Sequence, residues 1–288
     1  MTFLASAPGH TGCPSRRVEA RLAFVTARGQ SHLVRQYTPH PFHITRVFRL
    51  TGDPAGMATL YLQSSSGGLY GDDDLRLRVT VGAGAAVHLT TQASSVVHHA
   101  RGGETRQTVN LDVGEGAILE YCPDPAILFA GARLSTDLAV RLSAGGRVVL
   151  TDSALTHDPA GRQEPFDRLR AQIRITDATA PPLAIDRAEV AGTDWASRCG
   201  GYPCQGMVLA AGLGACTTDA GAVLRSALET VEGGGIYAGV SVLLGRGVVV
   251  ARILARDGQA LSAALADGWG ALRPVVTGTT AAPPPRRK

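Results

Sequence analysis

The sequence is short of lysine, of aromatic rings and of compact catalytic signatures, and each shortage removes a class of function. Lys288 is the single lysine among 28 basic residues. Arg286, Arg287 and Lys288 supply three of the four net positive charges, so the body reads as nearly neutral, with no basic stripe for a nucleic-acid backbone. Aromatic residues are 5% of the chain, so few are on offer for a long sugar-stacking cleft. The longest nearly uncharged apolar stretch, Gly206 to Cys216, is well short of the ~20 residues that span a bilayer. Met1 to His10 shows no basic segment followed by an apolar one, so no secretory signal is read and a cytoplasmic location is expected. Five scattered cysteines, an odd number, argue against a secreted disulfide framework. Neither G-x-x-x-x-G-K-[ST], H-E-x-x-H, G-x-S-x-G nor C-x-x-C occurs, which removes the usual phosphate-binding loop, zinc protease, serine hydrolase and dithiol sites.

What the chain does have is turn-formers and short apolar alternations. Gly (35) and Pro (16) are frequent, so elements are short. From Val18 to about Ile185 apolar residues alternate, as in Leu22-Phe24, Val47-Phe48-Leu50, Leu60-Leu62 and Leu75-Leu77-Val79-Val81, which predicts half-buried strands. Three similar segments centre on Gly84, Gly116 and Gly145, each between two strand patterns. Each reads as a glycine-turned hairpin, and hairpins returning about every 30 residues predict a mainly β, β-helix-like elongated body of stacked layers. Three unrelated hairpins in an ordinary sandwich are the competing architecture. The C-terminal third predicts two helices: one capped by Thr218 or Asp219 and stopped by Gly233-Gly234-Gly235, the other starting near Asp257 and ending before Pro274. A hairpin turning at Gly245-Arg246-Gly247 joins them. The expected division is a single β-rich domain over 18–278, an N-terminal extension over 1–17 and a mobile Pro-rich tail over 279–288.

Three segments could carry chemistry. Gly67-Gly68-Leu69-Tyr70-Gly71-Asp72-Asp73-Asp74 is a glycine turn ending in three carboxylates, suited to a hard divalent cation or, with an imidazole or thiolate, to nickel or zinc. A solvated acidic turn is the plainer reading. Leu119-Glu120-Tyr121-Cys122-Pro123-Asp124-Pro125 crowds an acid, a thiol and a second acid where prolines fix the backbone. In a strand Glu120 and Cys122 share a face, although a buried Cys beside a surface Glu is the commoner arrangement. His98-His99 offers at most one ligand if both lie in a strand. Cys199 and Cys204 lack a second pair of ligands, which favours free thiols over a closed zinc site.

Together these segments resemble the UreD (UreH) family of urease accessory proteins. The most specific stretch is Gly67-Gly68-Leu69-Tyr70-Gly71-Asp72-Asp73-Asp74-Leu75, similar to the family's P-G-G-x-x-G-G-D-x-L turn. In the family's order follow Leu89-Thr90-Thr91-Gln92-Ala93, Leu119-Glu120-Tyr121-Cys122-Pro123 and Phe129-Ala130-Gly131-Ala132-Arg133. Asp72 stands where the family has glycine, Asp186 where Glu is common, and the C-terminal P-R-I-W pattern is absent. The resemblance implies a β-helix-like fold with two helices and a non-enzymatic, chaperone-like scaffold that joins UreF, UreG through UreF, and apo-urease. It implies no tightly bound cofactor and transient nickel(II) at most. If the stacked strands enclose a polar passage, Asp73, Asp74, Glu120 and Asp186 are the acids expected along it, within motifs marked by Gly67, Gly68, Gly71, Thr90, Thr91, Pro123, Gly131 and Arg133. Two other functions compete: a glycan-active β-helix enzyme using paired carboxylates such as Asp73 and Glu120, and a metal-free protein-interaction module.

Overall fold

The computed structural model describes residues 16–162, 164–178, 181–232, 235–243 and 245–279. The expected N-terminal extension and Pro-rich tail lie, apart from their innermost residues, outside that range. The chain begins with β1 (Arg17–Ala27), β2 (Gln30–Tyr37), β3 (Phe42–His43), β4 (Ala58–Ser64), β5 (Asp74–Val81), β6 (Ala86–Thr91), β7 (Ser95–Val97) and β8 (Thr105–Val113). It continues with β9 (Ile118–Cys122), β10 (Ala126–Leu128), β11 (Arg133–Leu142), β12 (Arg147–Thr156), β13 (Arg168–Thr176), β14 (Ala184–Ala191) and a one-turn helix α1 (Trp195–Arg198). Last come β15 (Cys204–Ala211), α2 (Thr217–Glu232), β16 (Ile236–Leu243), β17 (Val248–Ala255) and α3 (Gly258–Thr277).

The strands form two facing sheets. The outer sheet has the order β14-β13-β11-β8-β5-β1-β2, and the central sheet β16-β17-β15-β12-β9-β6-β4-β3. Short strands β7 and β10 add a parallel ribbon beside β12. The three glycine segments expected to be hairpins are instead corners between the sheets. β5 pairs in parallel with β1 and β8, while β6, just past the Gly84 turn, pairs in parallel with β4 and β9. The arms of each turn never pair with each other, because successive corners stack: Gly84 N–H donates to Glu115 O at 2.8 Å and Gly116 N–H to Ala144 O at 2.9 Å. Gly84, Gly116 and Gly145 all hold φ near +60 to +66°, which L side chains adopt only at a cost. The periodicity thus reports the rungs of a parallel solenoid.

Burial explains the two apolar patterns. In β5 Leu75, Leu77, Val79 and Val81 are buried and alternate with outward Asp74, Arg76, Arg78 and Thr80, because the outer sheet has a core on one face only. β12 and β15 carry contiguous runs, Val148-Val149-Leu150 and Met207 to Ala211, all buried. Their even-numbered or odd-numbered partners on one face join the inter-sheet core, with Leu22, Leu60, Val79 and Leu119. The other face packs on the helices, with Leu224 and Leu228 of α2 and Leu261, Leu265, Trp269, Leu272 and Val276 of α3. The order is therefore outer sheet, central sheet, helices.

Two further expectations need correction. Val47-Phe48-Leu50 is not a strand; it contributes one bridge, Phe48 to Thr59, because the chain turns at once, with Asp53 N–H bonded to Leu50 O at 3.1 Å. The last helix does not end before Pro274 but runs to Thr277, where Gly278 closes it at φ +73°. Pro274 removes one helical hydrogen bond, and the burial of Leu272 and Val276 on either side outweighs that loss. The expected start is right: Asp257 Oδ1 accepts from Ala260 N–H at 2.7 Å, as an N-cap should. A short third helix, α1, precedes the two long ones. The hairpin of β16 and β17 forms as read.

Alternation also sorts charge. In six of the seven strands of the outer sheet, β2 aside, the outward positions hold Arg17 and Arg21 on β1, Arg76 and Arg78 on β5, Arg106 on β8, Arg133 and Arg141 on β11, Arg168, Arg170 and Arg174 on β13, and Arg187 on β14. The carboxylates among them are Glu19, Asp74, Asp112, Asp137 and Glu189. Eleven arginines face five acids on this surface, while the whole chain is only +4, so the rest of the molecule is net negative.

Candidate functional site

A cavity of about 410 Å³ lies between the two sheets. Its walls take residues from β4, β9, β12, β15 and β17 on one side and from β5, β8, β11, β13 and β14 on the other. Touching successive rungs of both sheets, it runs along the stacking axis, across the strands. Strands are spaced about 4.8 Å apart, so the walls from β4 to β17 extend roughly 24 Å. Among the apolar side chains of its wall, Leu62, Leu77, Leu134 and Ile173 included, stand Thr136, Thr151, Asp152, Asp186, Gln205 and Arg252.

Near β14 and β17 the charged groups are Asp152, Asp186 and Arg252. Asp186 on the inward face of β14 is ion-paired across the sheets to Arg252 of β17. Asp152 lines the cavity, and burial pushes its pKa up to about 6, with the nearby Asp186 charge adding to the shift. Its negative form is therefore the one the protein disfavours, and a cation beside it would restore it. Further along, Asp124 is fastened to the neighbouring rung: its N–H donates to Thr91 Oγ1 at 2.8 Å, and that hydroxyl donates to Asp124 Oδ2 at 3.1 Å. Thr90 Oγ1 donates to Cys122 O at 2.6 Å. The Thr-Thr motif thus clamps the Cys122-Pro123-Asp124 segment, which fixes where the cavity wall turns.

The glycine turn borders the opposite part of the cavity through Gly67, Gly68 and Leu69. A side chain at Gly68 would come within 2.5 Å of Val96 O, and one at Gly71 within 2.1 Å of Ala100 O, so these motif glycines allow the turn to lie against the next rung. Asp73 ties the turn down. It is 3% exposed, accepts from Arg16 Nε at 2.7 Å and is also paired with Arg16 Nη2, and takes the Tyr70 N–H at 2.8 Å. Asp72 adopts φ +67°, a conformation Asp tolerates better than most residues, which accommodates the missing family glycine. Beside the turn, Tyr70 stacks on His98 with centroids 4.6 Å apart, and His98 Nε2 lies 3.0 Å from Gly67 O. His99 instead accepts the Arg101 N–H through Nδ1 at 2.9 Å and packs where a side chain on Gly131 would collide. The two imidazoles diverge.

The four acids read from the sequence are not brought together. Asp186 lines the cavity, and Asp73 is buried at the turn beside it. Asp74 points outward from β5, where a hydrogen bond from Arg76 lowers its pKa, and pairs with Arg17 at 3.1 Å. Glu120 does share a face with Cys122, but it is the helix-side face: it accepts from Arg273 Nε at 2.9 Å and lies 2.7 Å from His88 Nδ1. Arg273, wholly buried, also donates to Asp53 Oδ1 at 2.7 Å and lies 4.9 Å from the centre of the Trp269 ring. This clasp fastens α3 to β6, β9 and the loop before β4. Being fully buried and doubly engaged, Glu120 is out of reach of a polysaccharide, so the paired-carboxylate enzyme is not favoured. Arg133 forms a surface pair with Asp167 at 2.9 Å. Cys199 and Cys204 are buried free thiols in different apolar clusters, and burial pushes Cys204 up to about 11, leaving it protonated at neutral pH. Among the described residues no three His, Cys, Asp or Glu side chains form a metal-holding group.

Sequence reasoning missed Asp152, Arg252, Asp53, His88 and Arg273. The available signal was an acid or base inside an otherwise apolar run: Asp152 after Val148-Val149-Leu150, and Arg273 four residues after Trp269 on the buried stripe of α3.

Fold and site together define a helix-clasped β-solenoid with an acid-bearing, largely apolar-walled cavity between its sheets. Comparison with known proteins gives the family. The chain belongs to the UreD family of urease accessory proteins, whose sequence model matches residues 16–288. It is 40% identical over 253 residues to urease accessory protein UreD 1 of Methylorubrum populi, covering 87% of this chain and 85% of that protein. The corresponding protein of Methylorubrum extorquens is 38% identical over 90% of this chain and 89% of its own length. That of Pseudomonas syringae pv. syringae is 38% identical over 93% and 95%. No helix among the described residues is long and apolar enough to cross a membrane.

Proposed function

We propose that this chain is a non-catalytic scaffold of urease maturation in the cytoplasm, assembling with UreF, with UreG through UreF, and with apo-urease, and that nickel(II) moves along its inter-sheet cavity toward the urease active site. Family membership supports the maturation role. The observation that carries the transport role is the cavity itself, which touches successive rungs of the solenoid and carries Asp152 and Asp186 in its wall. Nickel(II) is strongly hydrated, and oxygen ligands set apart along a wall suit passage better than a closed ligand cage does. Asp152 and Asp186 are the oxygen ligands of this reading, with Arg252 competing for Asp186. Asp73 shapes the glycine turn beside the cavity, while Asp74 and Glu120 act on other faces.

The test is co-expression with the urease subunits and the other accessory proteins, with and without this chain and with an Asp152→Ala/Asp186→Ala variant. Wild type should restore urease activity and nickel content. The double variant should still assemble while nickel content falls. Normal nickel content in that variant would refute the passage, and full activation without the chain would refute the maturation role.

A further inference from the structure

The two long helices cover the central sheet, and among the described residues no helix packs on the outer face of the seven-stranded sheet. Most arginines there are neutralised locally: Arg141 by Asp112 at 2.7 Å, Arg106 by Glu104 at 3.1 Å, Arg168 by Glu104 at 2.6 Å. Three are not. Among the described residues Arg170 and Arg174 of β13 and Arg187 of β14 have no carboxylate within 4.0 Å, and Arg187 donates instead to Gln172 Oε1 at 2.7 Å. Arg170 and Arg174 flank Gln172 on the same side of β13, and Arg187 is its register partner on β14, so three guanidinium groups without an ion-pair partner surround one neutral side chain, while Glu189, the register partner of Arg170, lies 3.8 Å from Arg168 instead. Ile185, the register partner of Arg174, is 49% exposed beside them.

We propose that this face is a docking surface for an acidic face of a folded protein partner, centred on Arg170, Arg174 and Arg187. The proposal rests on the accessory role above and adds which surface meets a partner and by what chemistry. Three clustered cations repel one another, and opposing carboxylates relieve that repulsion with bidentate hydrogen bonds. Seven strands of about eight residues make a flat face of roughly 900 Å², close to the ~800 Å² each partner contributes to a stable interface. The carboxylates of Glu19, Asp74, Asp112, Asp137 and Glu189, dispersed over the same face, oppose a continuous phosphate backbone, and the exposed Ile185 suits a protein surface, so a protein is favoured over a nucleic acid.

The experiment compares wild type with Arg170→Glu/Arg174→Glu/Arg187→Glu, each co-expressed in full length with the urease subunits and the other accessory proteins, and reads complex composition at about 0.15 M salt. One partner should dissociate or bind at least about tenfold more weakly to the reversed face, with the melting temperature unchanged, and the neutral triple Gln variant should fall between. Wild-type binding of that partner should weaken as salt rises. An intact complex with the reversed face overturns the proposal, as does Arg-dependent binding of a short DNA duplex at the same salt without loss of any protein partner. If wild type itself recruits no partner, the accessory reading fails and the docking face falls with it.

Discussion

Replacing Glu120 by alanine separates the helix clasp from the cavity, because the side chain is fully buried on the helix side of β9. The substitution removes the acceptor of Arg273 Nε and the partner of His88 Nδ1, at 2.9 and 2.7 Å. Arg273 then keeps Asp53 as its carboxylate partner, and the imidazole loses its hydrogen bond inside a layer that excludes water. Truncating one member of a buried, hydrogen-bonded ion pair costs about 3–5 kcal/mol. At about 2–4 °C per kcal/mol for a domain of this size, melting should fall by roughly 10 °C. Arg273→Met should cost a similar amount, since it strands Glu120 and Asp53 together. Replacing both Glu120 and Arg273 with apolar residues should cost less than the two single changes added, because each single change leaves the other member of the Glu120–Arg273 pair behind, whereas the double change leaves only Asp53 without its cation. Thermal and urea unfolding of the four proteins measures this, with urease nickel content read in parallel at a temperature where the variants remain folded. If Glu120→Ala melts within about 2 °C of wild type and nickel delivery nevertheless falls, the clasp reasoning is wrong and Glu120 acts on the ion.

Asp152→Asn should stabilise the protein above pH 6. The folded pKa of about 6 lies above the ordinary 3.8, so the native state holds its proton more tightly, and the stability this lends below about pH 4 is lost as pH rises to about 6. The variant should therefore gain up to about 3 kcal/mol at pH 7.5 relative to its effect at acidic pH, read from urea midpoints; an equal effect at both pH values would refute the assignment. Trp269→Ala should cost about 3–5 kcal/mol, because the ring is 3% exposed in the stripe of α3 that packs on the central sheet; an unchanged melting temperature would show that the stripe is not packed there. Asp72→Gly should be neutral or stabilise by up to about 1 kcal/mol by relieving the φ of +67°, and clear destabilisation would show that the Asp side chain holds the turn.

The sequence by itself determined the strands, their repeat and the family, because these rest on signals carried by neighbouring residues. Alternation in Leu75 to Val81 marks a strand with one buried face, and the glycines at 84, 116 and 145 mark corners that require positive φ. Asp257 announces a helix start through its own side chain. Even the covering of the central sheet was written in the contiguous run Val148-Val149-Leu150, since only a strand buried on both faces can be apolar at every position. Tertiary structure alone decided what those elements face. Whether a glycine turn closes a hairpin or a solenoid corner depends on which strands lie beside its arms, and the corner carries the same local sequence in both cases. Whether an acid lines the cavity, the clasp or the outer surface depends on strand parity and on which layer each face meets: Glu120 and Asp186 look alike in sequence, yet one binds a helix and the other faces the cavity. The net charge of +4 fixed the total, and only the stacking of outward positions from six strands of one sheet concentrated arginine on a single face, since a composition has no direction and a sheet does.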